Sequence, residues 1–402
     1  MTTFSPSVYL RRKKNRILQR CLTDEPTKAR LKYQPWYHHI DRQEGAKVWI
    51  NGRELVMMSS NDYLGLSFHP KVKEAAQEAI SKWGSSTTGA RLANGSRSCH
   101  RELERKLAHF LGKDDSMVFS AGYLACMASV STFAQKGDLI LVDRNVHSSL
   151  WTGIQSTTAD VERFAHNSPS DLQDILMTED RNRPKMIVLE GVYSMEGHIA
   201  PLQEIIEVTR SSHPFIVVDD AHGLGVLGDR GQGTVGYLDR TSDVDIICGS
   251  LSKAMASIGG FIAGDRAVIE YLKTTSKQAI FSAAIAPAQA ASALTSLKLL
   301  KQEPEHRERL WDNTRYYKRM LNQLDVDTWD SKTPAVPIVI GNKERTYRVW
   351  KQLMEEGMFT VMAIPPAVSP GKDLLRTAVS ASHTRKDLER FVECLKKALN
   401  KD

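Results

Sequence analysis

The chain has 402 residues, 41% hydrophobic and 25% charged, with a net charge of +7. This is enough for a large core and two or three domains in an ordinary soluble globular protein. No apolar run reaches the ~18–20 residues of a membrane span, and Met1-Thr-Thr-Phe-Ser-Pro carries no secretory pattern.

The charge is concentrated at the start. Residues 1–32 hold nine lysines and arginines against Asp24 and Glu25, which accounts for the whole net charge. The excess therefore marks a basic N-terminal arm and argues against a nucleic-acid-binding body. A helix over Val8–Leu22 would bring Leu10, Ile17, Leu18 and Cys21 near one face. Such an arm suits packing along a neighbouring subunit, or docking to an acyl carrier protein or an anionic membrane surface. The cysteines, Cys21, Cys99, Cys126, Cys248 and Cys394, are scattered, without a CxxC pair. They read as reduced thiols in a cytoplasmic protein, peripheral to a membrane at most, with no metal site.

After the arm, Val48–Met57 predicts two short strands around an Asn51-Gly52 turn. Between Ser116 and Ala263, short apolar runs alternate with helical patterns. The predicted strands are Met117–Ser120, Leu139–Val142, Met186–Glu190, Phe215–Asp219, Ile246–Gly249 and Gly260–Ala263. They lack polar alternation, as strands covered on both faces do. This predicts an α/β fold with a mostly parallel sheet. Beyond Ala286, helical periodicity covers Ala286–Leu300, His306–Leu324 and Arg345–Glu356, and Thr384 caps a last helix to Leu399. With strands at Pro334–Ile340 and Leu374–Ser380, this part reads as a smaller α+β domain. The expected division is an arm with short strands at 1–55, a large domain at 56–290 and a small domain at 291–402.

In open α/β sheets, ligand residues gather beyond the carboxyl ends of the strands. Lys253 lies there, in Cys248-Gly-Ser-Leu-Ser-Lys-Ala-Met-Ala-Ser-Ile-Gly-Gly260. A lysine among small residues and hydroxyls is placed to form a Schiff base with an aldehyde cofactor, with Ser250 and Ser252 in reach of that cofactor's phosphate. Upstream, Phe215-Ile-Val-Val-Asp-Asp-Ala-His222 ends in an acid and a histidine. Pyridoxal phosphate (PLP) uses an acid for its pyridinium nitrogen and a lysine for its aldehyde. Ser194 also lies past a strand end. Backbone amides of Gly122 and Tyr123, opening a helix, offer an anion site.

The order of motifs carries a family resemblance. It comprises Ser60-Asn-Asp-Tyr-Leu-Gly65, Ser120-Ala-Gly-Tyr123, Asp143-Arg-Asn-Val-His147, Gly191-Val-Tyr-Ser-Met-Glu-Gly197, Asp219-Asp-Ala-His222, Ser250-Leu-Ser-Lys253 and Leu375-Arg-Thr377. Together they resemble the α-oxoamine synthases, PLP enzymes of fold type I. These acyltransferases condense an amino acid with an acyl thioester and release carbon dioxide. The resemblance implies that Lys253 holds the cofactor and acts as base at Cα. Asp219 would pair with the pyridinium nitrogen, and Asp220 would be structural. His222 and Ser194 would bond the phenolic oxygen, and His147 would stack on the ring. Gly122, Tyr123, Ser250 and Ser252 would hold the phosphate. Ser282 would reach it from the neighbouring subunit of a homodimer. Arg376, assisted by Asn61, would bind the substrate carboxylate.

Within the family, Gly84-Ser-Ser-Thr-Thr-Gly-Ala-Arg-Leu-Ala-Asn-Gly95 is most similar to bacterial serine palmitoyltransferases. That implies L-serine and a long-chain acyl thioester as substrates and a place in sphingolipid biosynthesis. 8-Amino-7-oxononanoate synthase, 2-amino-3-ketobutyrate ligase and natural-product enzymes are the alternatives inside the family. A fold-type I aminotransferase and a non-catalytic partner subunit are alternatives outside it; retention of Lys253 argues against the latter. Three positions depart from the family pattern. Cys126 stands where Asn is common and Ser250 where Thr is usual. Ile364, before Pro365-Pro366, stands where some serine palmitoyltransferases carry an arginine.

Overall fold

A computed structural model describes residues 15–21, 35–365 and 367–400. Of the arm's expected helix Val8–Leu22, Arg16–Cys21 is helical; residues 8–14, Leu10 among them, and Leu22 lie outside the described residues. The first strands are β1 (Arg42–Glu44), β2 (Lys47–Ile50) and β3 (Arg53–Met57). β2 and β3 form the expected hairpin, with Ile50 opposite Arg53. Asn51 and Gly52 both take positive φ, 51° and 75°. That is the backbone a two-residue turn needs between twisted strands, and Asn and Gly adopt it most readily.

The central sheet has seven strands: β4 (Asp115–Phe119), β5 (Leu139–Asp143), β6 (Asp160–Phe164), β7 (Lys185–Glu190), β8 (Phe215–Asp219), β9 (Ile246–Ser250) and β10 (Gly260–Gly264). Their order is β4-β10-β9-β8-β7-β5-β6. β10 runs antiparallel to both β4 and β9. The other pairings are parallel. All six strands expected here are present. β6 is the addition: Asp-Val-Glu-Arg-Phe is exposed except for Phe164 and sits at the sheet edge. A charged edge strand blunts unwanted pairing and lacks the apolar signature of its neighbours.

Side chains leave each strand alternately to the two faces. Leu139, Leu141, Ile187, Leu189, Ile216, Val218 and Ile247 enter one apolar cluster. Ile140, Val142, Met186, Val188, Val217, Ile246 and Cys248 enter the other, together with Ala125, Cys126 and Ala128 of the helix Gly122–Ser131. This double cover explains why the strands read as unbroken apolar runs.

The remaining strands are β11 (Ala335–Val339), β12 (Met358–Phe359), β13 (Val361–Ala363) and β14 (Leu374–Ala378). β11, β14 and β13 form an antiparallel sheet. β12 pairs in parallel with β3, so the N-terminal hairpin shares a sheet with the C-terminal part of the chain. The last helix, Arg385–Leu399, opens on Thr384, whose hydroxyl accepts from the Asp387 amide at 3.2 Å.

The helix Gly122–Ser131 lies so close to β10 that Gly260 has no room for a side chain. A Cβ there would stand 2.6 Å from Gly122 Cα and 2.8 Å from Ala125 Cβ. Gly260→Ala should therefore cost about 1–3 kcal/mol of stability by overpacking, read as a lower urea midpoint. An unchanged midpoint would mean that the helix can move away without penalty.

Asp220, the residue after β8, holds the turn that follows. Its carboxylate accepts from the Thr234 amide at 2.6 Å and the Thr234 hydroxyl at 2.7 Å. Burial pushes its carboxyl up to about 6, against the lowering effect of the Thr234 hydrogen bonds. A carboxyl whose pKa rises on folding favours the folded state while protonated, and that advantage fades as pH climbs from about 4 through 6. The unfolding free energy of the wild type, measured relative to Asp220→Asn, should fall across this window. A difference constant from pH 4 to 7 would refute the raised pKa.

Candidate active site

Register brings the chemistry together. Glu190 of β7 lies beside Asp219 of β8, and Asp219 beside Cys248 of β9. Glu190 and Asp219 end their strands, and Cys248 lies two residues before the end of β9. Alternation directs them to the face covered by the helix Gly122–Ser131. Above them is a cavity of about 330 Å³. Its lining includes Asn61, Gly122, Tyr123, His147, Ser194, Asp219, His222, Ser250, Ser252, Lys253 and Arg376. Of the residues expected to contact cofactor or substrate, Ser282 alone is absent from that lining. It sits half-buried beside Phe281, which is 82% exposed.

Asp219 is buried, and both its oxygens are held. Oδ1 accepts from the Ala221 amide at 3.0 Å, and Oδ2 accepts from the Cys126 thiol at 3.0 Å. The Lys253 amine is packed by protein, and burial lowers its pKa while Asp219 acts in the opposite sense. A lysine so placed spends more of its time as the neutral, nucleophilic amine. His222 is buried, and its pKa falls well below the usual imidazole range, through burial first and then the charges of Lys253 and Arg376. Its Nδ1 lies 2.8 Å from the Tyr63 hydroxyl.

His147 opens the helix Ser148–Gln155 as its N-cap, and its Nδ1 accepts from the Ser149 amide at 3.2 Å. That contact fixes the ring and leaves Nε2 for other partners. Tyr123 meets it edge-on, with ring centroids 6.3 Å apart. The Ser250 and Ser252 hydroxyls lie 2.6 Å apart. Gly122 presses against them: a Cβ on it would come 2.8 Å from Ser250 Oγ. Bare backbone at a helix start, with two hydroxyls beside it, makes a cradle for an anion. Arg376, from β14, donates from Nε to the Ser194 carbonyl at 3.0 Å and from Nη2 to Asn61 Oδ1 at 3.0 Å. Its planar fork is thereby oriented in the cavity.

Glu190 and Tyr63 were not singled out in the sequence. Glu190 is buried, and its carboxyl is pushed well above the usual range by burial, then by Asp219 and Glu196. Its position at the end of an apolar strand was the available signal. Tyr63 lies in Ser60-Asn-Asp-Tyr-Leu-Gly65, but only the fold shows that it meets His222. A buried amine, a fixed acid and an anion cradle in one cavity fit PLP.

The comparisons agree with this geometry. The model of the family "Aminotransferase class I and II" matches residues 53–395. A serine palmitoyltransferase of Sphingobacterium spiritivorum is 38% identical over 358 residues, 89% of this chain and 90% of that protein. 8-Amino-7-oxononanoate synthase 1 of Bacillus subtilis (strain 168) is 37% identical over 358 residues, 89% of this chain and 91% of that protein. A solved serine palmitoyltransferase with PLP superposes with a TM-score of 0.92 at 31% identity, covering 96% of this chain and 98% of that one. Among the described residues, no helix is long and apolar enough to cross a membrane. The chain belongs to the aminotransferase class I and II family and, within it, to the α-oxoamine synthases: it is a PLP-dependent C-acyltransferase of fold type I.

Proposed function

We propose that this chain condenses L-serine with a long-chain acyl thioester, borne by coenzyme A or an acyl carrier protein, to give an α-amino ketone and carbon dioxide. One observation carries the amino-acid part. Arg376, set by Ser194 and Asn61, shares a cavity with Lys253 and Asp219. An oriented guanidinium beside a buried amine suits a substrate with a carboxylate and an amino group on one carbon. The preference for serine rests on Arg91-Leu-Ala-Asn-Gly95 and on the 38% identical serine palmitoyltransferase.

When bound, PLP supplies an aldehyde that captures amines and a ring that disperses negative charge from Cα. The chain's residues do the rest. Gly122, Tyr123, Ser250 and Ser252 would hold the phosphate. Asp219 would pair with the ring nitrogen. His222 and Ser194 would bond the phenolic oxygen, and His147 would pack against the ring. Arg376 and Asn61 would hold the substrate carboxylate and so orient the substrate in the cavity. Lys253 would hold the aldehyde and, as a free amine, take the Cα proton at its Nζ.

The active unit in this reading is a homodimer. Leu92, Ile258 and Phe281 are exposed apolar side chains, at 62%, 58% and 82%. Phe281 adjoins Ser282, and Ile258 follows the Lys253 loop. Covering such side chains with a second copy is favourable and would bring Ser282 to the partner's phosphate cradle. The basic arm is left to steer or dock the thioester carrier.

Borohydride reduction of the purified protein should fix PLP on Lys253, seen by peptide mass mapping. Lys253→Ala should show no adduct and no condensation. An adduct on another lysine would refute the assignment.

A substrate panel tests the reaction. Thiol and carbon dioxide release should require both amino acid and thioester, with L-serine preferred over glycine and L-alanine. Turnover with alanine and a pimeloyl thioester, and none with serine, would move the chain to the oxononanoate branch, represented by the 37% identical relative. Amino-group transfer without thioester would make it an aminotransferase.

A further inference from the structure

The residue behind the acid is the least expected part of the site. Cys126 stands on the helix Gly122–Ser131, one turn after the glycine of the anion cradle. It lines the cofactor cavity. Its thiol donates to Asp219 Oδ2 at 3.0 Å. Cys248, the strand partner of Asp219, adds a second sulfur, and the two sulfurs and the carboxylate oxygen lie within 4.8 Å of one another. Both cysteines are buried, at 3% and 0% exposure.

We infer that Cys126 is a positioning residue for Asp219: its thiol fixes the rotamer of the carboxylate while withdrawing little of its basicity. The inference rests on the reading of Asp219 as the partner of the ring nitrogen.

A carboxylate keeps its orientation only if its oxygens are held. The Ala221 amide holds Oδ1 at 3.0 Å, and Cys126 holds Oδ2. The two donors differ in strength. An amide N–H is a full donor, whereas S–H is a weak one. An amide or hydroxyl at position 126 would hold Oδ2 more strongly and stabilise the ionised acid more. That would weaken its hold on a proton shared with the ring nitrogen. A thiol separates the two effects, giving orientation with little loss of basicity. The thiol stays protonated in this position, since its pKa is pushed well up by Cys248, by burial and by Asp219. Asparagine is common here in the family. Cys126 departs from that pattern.

Packing is the competing explanation. A small buried cysteine also fills space as a hydrophobe, and Cys126 belongs to the apolar cluster beneath the helix. The two accounts separate on a readout that packing does not move. We would label PLP with nitrogen-15 and follow the ring-nitrogen chemical shift against pH in the holoenzyme. The variants are Cys126→Ala, Cys126→Ser and Cys126→Asn, with Asp219→Asn as control. Thermal midpoints of the cofactor-free proteins report packing separately.

Positioning predicts a divided result. Cys126→Ala frees Oδ2, and PLP should dissociate several-fold more readily. Cys126→Ser restores retention, but the ring nitrogen should lose its proton at lower pH than in wild type. Cys126→Asn should move it in the same direction. If the Ala and Ser variants match wild type in both retention and nitrogen profile, Cys126 is packing alone and the inference is wrong. It is equally wrong if retention falls in both in proportion to their thermal midpoints, with an unmoved nitrogen profile. Asp219→Asn distinguishes the underlying reading: an unmoved profile in that variant removes Asp219 from the nitrogen, whatever the Cys126 variants do.

Discussion

The site depends on the register of three parallel strands. β7, β8 and β9 pair so that Glu190, Asp219 and Cys248 stand side by side. A slip of one residue would exchange the two faces of a strand. Asp219 would then point to the opposite face, and Asp220 would enter the cavity in its place. The apolar alternation on both faces opposes such a slip, because every Val, Ile and Leu of the strand would have to change layers. The catalytic geometry is thus guarded by side chains that never touch a ligand. The acid keeps its place because Val217 and Val218, at 0% exposure, each have a separate core to fill.

That placement crowds ionisable groups into one cavity, where burial disfavours their charged forms. Glu190 adjoins Asp219 on the sheet, and two buried carboxylates repel. Burial, then the Asp219 charge, pushes the Glu190 carboxyl well up. Burial also lowers Lys253 and His222. A neutral amine can attack a carbonyl or take a proton, and a neutral imidazole can both donate and accept. Arg376 keeps its charge, but the Ser194 carbonyl and Asn61 share its donors. The cavity therefore sets an acid against a guanidinium, with groups between them whose charged forms burial disfavours.

Much of this was legible in the sequence. The six apolar strands were readable because double cover removes polar alternation, and residues past their ends could be named as ligands by a rule of α/β sheets. Lys253, Asp219, His222 and Arg376 were found in this way or by motif, and they meet. What escaped has a common cause. β6 is charged and exposed, β12 has two residues, and neither has a period to detect. Tyr63 and Glu190 act through partners distant in sequence. Cys126 was visible only as a departure from the family; its hydrogen bond to Asp219 spans 93 residues. Single-sequence patterns report which face a side chain takes, but not which side chain it meets there.

The stretch that suggested serine illustrates the same limit from the other side. Neither Arg91 nor Asn94 lines the cavity. Arg91 forms a two-pronged pair with Glu104, at 2.6 and 3.2 Å. Asn94 folds against Gly89, where a Cβ would meet its Oδ1 at 1.8 Å. The Gly89 carbonyl in turn accepts from the Ala284 amide at 2.9 Å, and Ala90 bridges to Ala283. His100 extends the clasp. Its pKa is lowered to about 4, chiefly by burial, so the ring is neutral. Its Nδ1 accepts from the Arg97 amide at 3.1 Å, which leaves Nε2–H to donate to the Ile285 carbonyl at 2.8 Å. The fingerprint is thus a compact turn that fixes segment 283–285, directly after Ser282. It sets the path of the segment after Ser282, the residue that the family resemblance would bring to the other subunit's phosphate cradle in a homodimer.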